Sequence, residues 1–258
     1  MLFTMVSMDA HGFAGRDGAQ LVYREAGEGR PLVMLPGFAG GGARMFEYGQ
    51  TGAFAAQGHR VIVPDFRGHG DSAKPHDRAA YPPDVLADDL FALVEHLGFG
   101  DGEYDLGGYS LGGRMAVRAL ARGARPRRAI VAGQGLAKVS GPQGGGRNRR
   151  VLTAMVDGTE LEPDSREARA AYWFSQLGAD PLALLYVLDS LVPTPEEELR
   201  RITVPTLVLI GDEDERADAD ELAALLGDGR FVRVPGDHGG AFVAPELGAA
   251  IADFLSSD

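Results

Sequence analysis

Apolar residues along the chain follow two different periods. Short runs, at Leu21–Arg24, Leu32–Leu35, Val61–Val63, Tyr104–Leu106, Ala129–Val131, Thr206–Ile210 and Phe231–Val234, are mostly bounded by Gly or Pro. They read as β-strands. Between them, Val85, Leu86, Leu90, Phe91, Leu93, Val94 and Leu97 recur at three- and four-residue spacing and so share one face of a helix. Similar helices are predicted near 43–57, 111–122, 218–226 and 243–255. Strands alternating with helices imply βαβ units, hence the α/β class with a mostly parallel central sheet flanked by helices. In such sheets the functional groups gather at the carboxyl ends of the strands.

One interval breaks the alternation. After Val131 the next convincing strand begins at Thr206, and the stretch between opens with the Gly-rich, basic run Gly141–Arg150. It then turns helical over 167–177 and 182–191, carrying Tyr172, Trp173, Phe174, Leu184, Leu185 and Tyr186. The expected organisation is one domain built from 1–135 and 201–258, with 136–200 inserted as a helical layer over one end of the sheet. The plainer alternative is two outer helices on a long loop, but loops beyond about 12 to 15 residues usually have a function or are disordered.

Composition narrows the chemistry. The 258 residues carry 25 Lys and Arg against 37 Asp and Glu, a net charge of −12. That balance repels phosphate backbones and anionic lipid surfaces, so neither nucleic acid nor membrane is an expected partner. No apolar run reaches the roughly 18 residues of a membrane span. The first eight residues lack the basic segment of a secretory signal, which makes the cytoplasm the default expectation. With no cysteine, disulfides, thiolate nucleophiles and Cys-based metal sites are all excluded, so any nucleophile is oxygen or nitrogen. The oligomeric state leaves no trace in the sequence.

The sharpest signal is Gly107-Gly108-Tyr109-Ser110-Leu111-Gly112-Gly113, which contains G-x-S-x-G between a predicted strand and a predicted helix. A turn that tight strains the nucleophile and demands small residues two before and two after it. A chance match is expected about 0.2 times at this composition, so the strand-to-helix context has to carry the assignment. A serine hydroxyl needs a base, most often a histidine held by a carboxylate. Of the six histidines, His238 alone follows the last strand and precedes the last helix. His69 and His76 belong to a Gly-rich loop, where bracing is the expected role. The carboxylate is sought at a strand end between serine and histidine. Gln134 closes one such end without an acid, and Asp212, Glu213 and Asp214 follow the other. A developing oxyanion needs donors, for which the backbone N–H of Leu111 and that of Phe38, in the Gly-rich turn Leu35–Gly42, are the candidates.

Serine, acid and histidine in this chain order, the elbow at Ser110, the turn at 36–42 and the segment Asp65-Phe66-Arg67-Gly68-His69-Gly70-Asp71-Ser72 together resemble the α/β-hydrolase superfamily, in its serine-nucleophile branch. The resemblance implies the α/β-hydrolase fold, a helical cap at 136–200, and cofactor-free, metal-free hydrolysis of an acyl substrate. It also favours Asp214, three residues beyond Gly211, as the third member beside Ser110 and His238. The expected activity is cleavage of a small or medium, fairly apolar ester or lactone through an acyl-enzyme on Ser110. Tyr109, Tyr172, Trp173 and Tyr186 are the expected substrate-binding residues. Alternatives with the same triad are a thioesterase, an amidase or peptidase, and a carbon–carbon hydrolase, while a non-hydrolytic ligand-binding protein is the alternative of another class. Three positions depart from or refine the pattern. Pro36-Gly37 stands where many relatives have His-Gly, so the oxyanion turn must be braced differently. Asp237 stands beside His238 where many have Gly, an acid placed to raise the basicity of the ring. Ser110 occupies the position that is Asp in related haloalkane dehalogenases and epoxide hydrolases, which argues against both of those chemistries.

Overall fold

A computed structural model describes residues 8–141 and 146–257. The apolar start of the chain up to Ser7 and the centre of the Gly-rich run, 142–145, lie outside the described residues. The strands are β1 (Asp9–Ala14), β2 (Gln20–Ala26), β3 (Arg30–Leu35), β4 (His59–Asp65), β5 (Asp105–Tyr109), β6 (Ala129–Ala132), β7 (Thr206–Gly211) and β8 (Gly229–Val234). They form one sheet in the order β1-β2-β4-β3-β5-β6-β7-β8. β1 pairs with β2, and β2 with β4, in antiparallel register. From β4 to β8 every pairing is parallel. The carboxyl ends of β3 to β8 therefore all open on one edge. This is the α/β-hydrolase fold.

Strand β1 is absent from the sequence reading for a physical reason. Of Asp9–Ala14 only Phe13 is buried, so this edge strand shows none of the alternation that marks a half-buried one. Inner strands behave oppositely. β5, β6 and β7 are buried along their whole length, since a parallel sheet covered on both faces has no polar side to show.

Helices α1 (Gly42–Tyr48), α2 (Thr51–Ala56), α3 (Val85–His96) and α4 (Leu111–Ala121) follow β3, β4 and β5 in the chain as the βαβ pattern requires. The single helix expected over 43–57 is two. The N–H of Gly49 and the hydroxyl of Thr51 both donate to the carbonyl of Met45, closing α1 before α2 can continue it. The last expected helix also divides, into α11 (His238–Val243) and α12 (Pro245–Ser256), after α10 (Ala219–Leu225). Pro245 opens α12 and holds Ala244 extended, at ψ 130°, which ends the preceding helix. Between β6 and β7 run α5 (Leu136–Ser140), α6 (Arg147–Asp157), α7 (Arg166–Gln176), α8 (Pro181–Ser190) and α9 (Glu196–Leu199). Side chains of α6, α7 and α8 share an apolar cluster, Val151, Leu152, Phe174 and Leu184, that reaches down to Ala39 in the turn after β3. No helix among the described residues is long and apolar enough to cross a membrane.

Candidate active site

Ser110 stands between β5 and α4 with φ 55° and ψ −116°, a conformation that costs a non-glycine residue on the order of 1–3 kcal/mol. The surroundings hold it there. Its N–H donates to the carbonyl of Ala132 at 2.8 Å, and its own carbonyl accepts from the N–H of Arg114 at 3.1 Å and from Nε2 of Gln134 at 2.6 Å. The flanking glycines are obligatory: a Cβ on Gly108 would collide with the backbone of Gly112, and one on Gly112 with the carbonyl of Leu35. Although Ser110 is the N-cap of α4, its hydroxyl does not cap the helix, which leaves Oγ for another partner.

That partner is His238. Its Nε2 lies 3.0 Å from Ser110 Oγ, and its Nδ1 lies 2.6 Å from Oδ2 of Asp214. Asp214 is buried whereas Asp212 and Glu213 are exposed. The loop turns to bring it there: Asp214 N–H donates to the carbonyl of Gly211, while Asp212 stays near the strand and accepts from the N–H of Gly236 at 2.8 Å. Burial pushes the Asp214 carboxyl up, but hydrogen bonding and charge from His238 and Arg216 outweigh it and hold the group below the usual carboxylate range. A hydroxyl, an imidazole and a carboxylate in one hydrogen-bonded line can draw the proton from the hydroxyl as its oxygen attacks an electrophile.

Two neighbours of His238 behave contrary to their place in the sequence. Asp237, expected to act on the ring, instead caps α11, accepting from the N–H groups of Gly239 at 3.0 Å and Gly240 at 2.7 Å. Tyr109, expected to bind substrate, lies behind the ring. Its hydroxyl donates to the carbonyl of His238 at 2.7 Å, and its ring centroid is 5.3 Å from the imidazole. Tyr109 is the last residue of β5, and its side chain enters the core cluster that also holds Met34, Ile130 and Leu209, with its ring centroid 5.0 Å from that of Phe242. The imidazole itself titrates below its ordinary range, first because it is buried and then because Arg216 is near, with Asp214 opposing both.

On the other side of Ser110, the turn after β3 passes close enough that a Cβ on Gly37 would sit 3.7 Å from the serine Cβ. This turn carries Phe38, and the first-turn amide of Leu111 belongs to the helix end whose N–H groups have no intrahelical acceptor. The bracing that a histidine gives elsewhere comes here from two sources. Buried Asp65 accepts from the N–H of Gly42 at 2.6 Å, from that of Asp71 at 2.8 Å and from Arg24 at 2.8 Å. The ring of Phe38 meets the edges of His69 and Phe174, with centroids 5.8 and 6.0 Å away. His69 is a brace and not a base: it is fully buried, its Nδ1 is 3.0 Å from the carbonyl of Arg67, and burial pushes its pKa down to about 4.

The aromatic residues of α7 face different ways. Tyr172 and Trp173 are 69% and 48% exposed, whereas Phe174 is 2% exposed and packs over the Phe38 turn. Successive helical residues are rotated by about 100°, so three in a row cannot face one way. The inward face is set by Ala170, Phe174 and Leu177 at four- and three-residue spacing. Tyr186, on α8, packs on Tyr81 with ring centroids 5.6 Å apart.

Two polar residues here escaped the sequence reading. Gln134 stands in the sequence only as a strand end without an acid, yet it donates to the Ser110 carbonyl. Arg216, the sole basic residue in the acidic run 212–221, was hidden by that run. Its Nη1 is 2.8 Å from Oδ1 of Asp214. Among the described residues, no group of three or more His, Asp or Glu side chains is placed to hold a metal ion.

Comparison with known proteins agrees with this architecture. Residues 30–134 match a family model described as the alpha/beta hydrolase fold. The chain is 28% identical over 262 residues to the AB hydrolase superfamily protein YisY of Bacillus subtilis, covering 92% of this chain and 96% of that one. It is 28% identical over 230 residues to the non-heme chloroperoxidase CPO-A1 of Kitasatospora aureofaciens, covering 80% and 82%. Among solved structures, an esterase from Exiguobacterium antarcticum superposes with a TM-score of 0.75 at 22% identity, covering 95% of this chain and 99% of the other.

Proposed function

We propose that this chain, which belongs to the α/β-hydrolase superfamily, is a serine hydrolase that cleaves a small or medium, fairly apolar ester or lactone. The observation that carries the reading is the unbroken line from Ser110 Oγ through both nitrogens of His238 to Asp214. In the first half-reaction Ser110 Oγ bonds to the acyl carbon as its proton passes to Nε2. The tetrahedral oxyanion is met by the N–H groups of Phe38 and Leu111, which cost no reorganisation because the backbone already fixes them. Collapse breaks the bond to the alkoxide leaving group, which takes the proton from Nε2. Water then repeats the sequence on the acyl-enzyme, releasing the acid and restoring Ser110. Asp214 holds Nδ1–H and stabilises the imidazolium formed in each half.

The stretch 136–200 acts in this reading as a cap. Its apolar cluster, in which Phe174 packs on the ring of Phe38 in the turn proposed to carry an oxyanion donor, supports an apolar acyl or alcohol group. Serine at 110 supports acyl chemistry over epoxide opening, for which related epoxide hydrolases carry Asp. Likeness to a chloroperoxidase and to an esterase is compatible with one shared nucleophile and different acceptors or acyl groups.

The test is turnover of p-nitrophenyl esters of graded chain length and of aliphatic lactones, beside matched thioesters and anilides, by wild type and Ser110→Ala. The expected result is fastest cleavage of short to medium esters or lactones and a loss of at least about 10³-fold in Ser110→Ala, as removal of a triad member costs orders of magnitude. Faster cleavage of thioesters or anilides would move the assignment to another bond. A tenth or more of the rate surviving in Ser110→Ala would remove the nucleophile.

A further inference from the structure

The β7–α10 loop brings a second cation to the site. Nη1 of Arg216 lies 2.8 Å from Oδ1 of Asp214 and 2.9 Å from Nδ1 of His238. Asp214 is thus held from both ends, Oδ1 by the guanidinium and Oδ2 by the imidazole. The arginine side chain is largely covered, and its Nε is buried with no hydrogen-bond partner. Its approach is from the Nδ1 side, opposite Ser110, so it does not reach the reacting carbonyl.

This arrangement matters for the ring's charge. A neutral imidazole that donates Nδ1–H to Asp214 leaves a lone pair on Nε2 for the serine proton, and Arg216 then sits beside an N–H without penalty beyond dipole repulsion. Protonating Nε2 creates a full positive charge 2.9 Å from another. Like charges at that distance disfavour the protonated form. The other groups around the ring do not reproduce the effect. Tyr109, from β5, stays a neutral phenol because burial raises its pKa. Asp237 spends its carboxylate on the α11 cap, Glu215 is exposed, and Gly133 and Gln134 on the β6 side carry no charge. Against the imidazolium stand burial and Arg216, and for it stand Asp214 and, last in weight, the charge of exposed Glu215, with the net effect a lowered pKa.

We propose that Arg216 is a positioning residue: wedged between Asp214 and His238, it fixes the carboxylate and keeps the imidazole uncharged, extending the pH range over which His238 can accept the serine proton downward. The proposal rests on the reading of His238 as the base, and it trades proton affinity for availability. Ester hydrolysis would then persist in mildly acidic solution where an unassisted histidine is already protonated.

Two measurements on Arg216→Gln and Arg216→Lys test it. One is the pH profile of kcat/KM for p-nitrophenyl acetate, and the other is NMR titration of the His238 ring carbons, which needs no turnover. Removing the neighbouring cation raises the pKa of an imidazole, so in Arg216→Gln both the ring titration and the acid limb of the profile should move up by about one pH unit. Below the limb, kcat/KM as a fraction of each protein's own plateau should then be about tenfold lower in Arg216→Gln than in wild type. Arg216→Lys, which restores the charge, should return both to within a few tenths of a unit of wild type. A purely structural arginine would lower the plateau without moving either midpoint. The inference is overturned if His238 titrates at the same pH in wild type and in a folded Arg216→Gln, or if Arg216→Lys behaves like Gln. Should Arg216→Gln fail to fold, Arg216→Met replaces it as the uncharged variant of similar length. If instead His238 is not the base, the ring titration still shifts while the kinetic limb does not follow it, which separates failure of the functional reading from failure of this one.

Discussion

Two runs of three like residues lie near Ser110, Asp212-Glu213-Asp214 after β7 and Tyr172-Trp173-Phe174 on α7, and in each the structure turns only the third member inward. The acids differ by how far the chain has turned after leaving the strand. Asp212 still follows β8, Glu213 is exposed, and Asp214 comes round to His238. The aromatics differ by phase around a helix whose buried face is decided elsewhere, by Ala170 and Leu177. The first choice is local: a strand end, a glycine and a fixed count of residues settle it. The second depends on which way the whole helix is rolled against the turn after β3, and aromatic character alone gives no hint of that.

The comparison breaks most visibly at the acids. Asp214→Asn keeps the size but removes the charged partner of His238 and should lower kcat on the order of 10⁴-fold. Asp212→Asn and Glu213→Gln should stay within about tenfold, since neither touches the ring; a crippling Asp212→Asn would transfer the role. Among the aromatics, Phe174→Ala empties a buried ring position and should destabilise the protein by about 3–5 kcal/mol, read from denaturant unfolding. Trp173→Ala and Tyr172→Ala, on the exposed side, should cost less than about 1 kcal/mol. Equal losses at 173 and 174 would mean that α7 is rolled differently. The smallest effect is expected at Asp237→Asn. Asparagine caps a helix as well as aspartate, so stability and the acid limb of kcat/KM should both stay at wild type. A limb that moved down would show that the Asp237 charge reaches the imidazole after all.

The same contrast sorts what was legible in the sequence. Among the described strands, β5, β6 and β7 announce themselves as continuous apolar runs because they are buried on both faces, β2 by alternating buried positions, and β1 does not because only Phe13 is buried. The elbow is legible because backbone sterics dictate its glycines, and the order of Ser110, Asp214 and His238 is legible because each sits at a strand end. Residues that act through tertiary contact are not. Gln134 reaches the Ser110 carbonyl from the next strand, and Arg216 reads as one cation solvated among acids until the loop folds back on Asp214. Sequence adjacency misled in the opposite sense at Asp237 and Tyr109, each next to a site residue and each directed away from the chemistry by its own local structure, a helix cap and the face of a strand.

The central claim is that Ser110 carries the acyl group. Rapid acid quench of the wild-type protein during turnover of a p-nitrophenyl ester, followed by peptide mass mapping, tests it directly. The account predicts a burst of nitrophenolate matched by the acyl mass on the peptide containing Ser110, with burst and adduct both absent in Ser110→Ala. Steady ester turnover with no adduct at Ser110, or with the acyl mass on another residue, would contradict it.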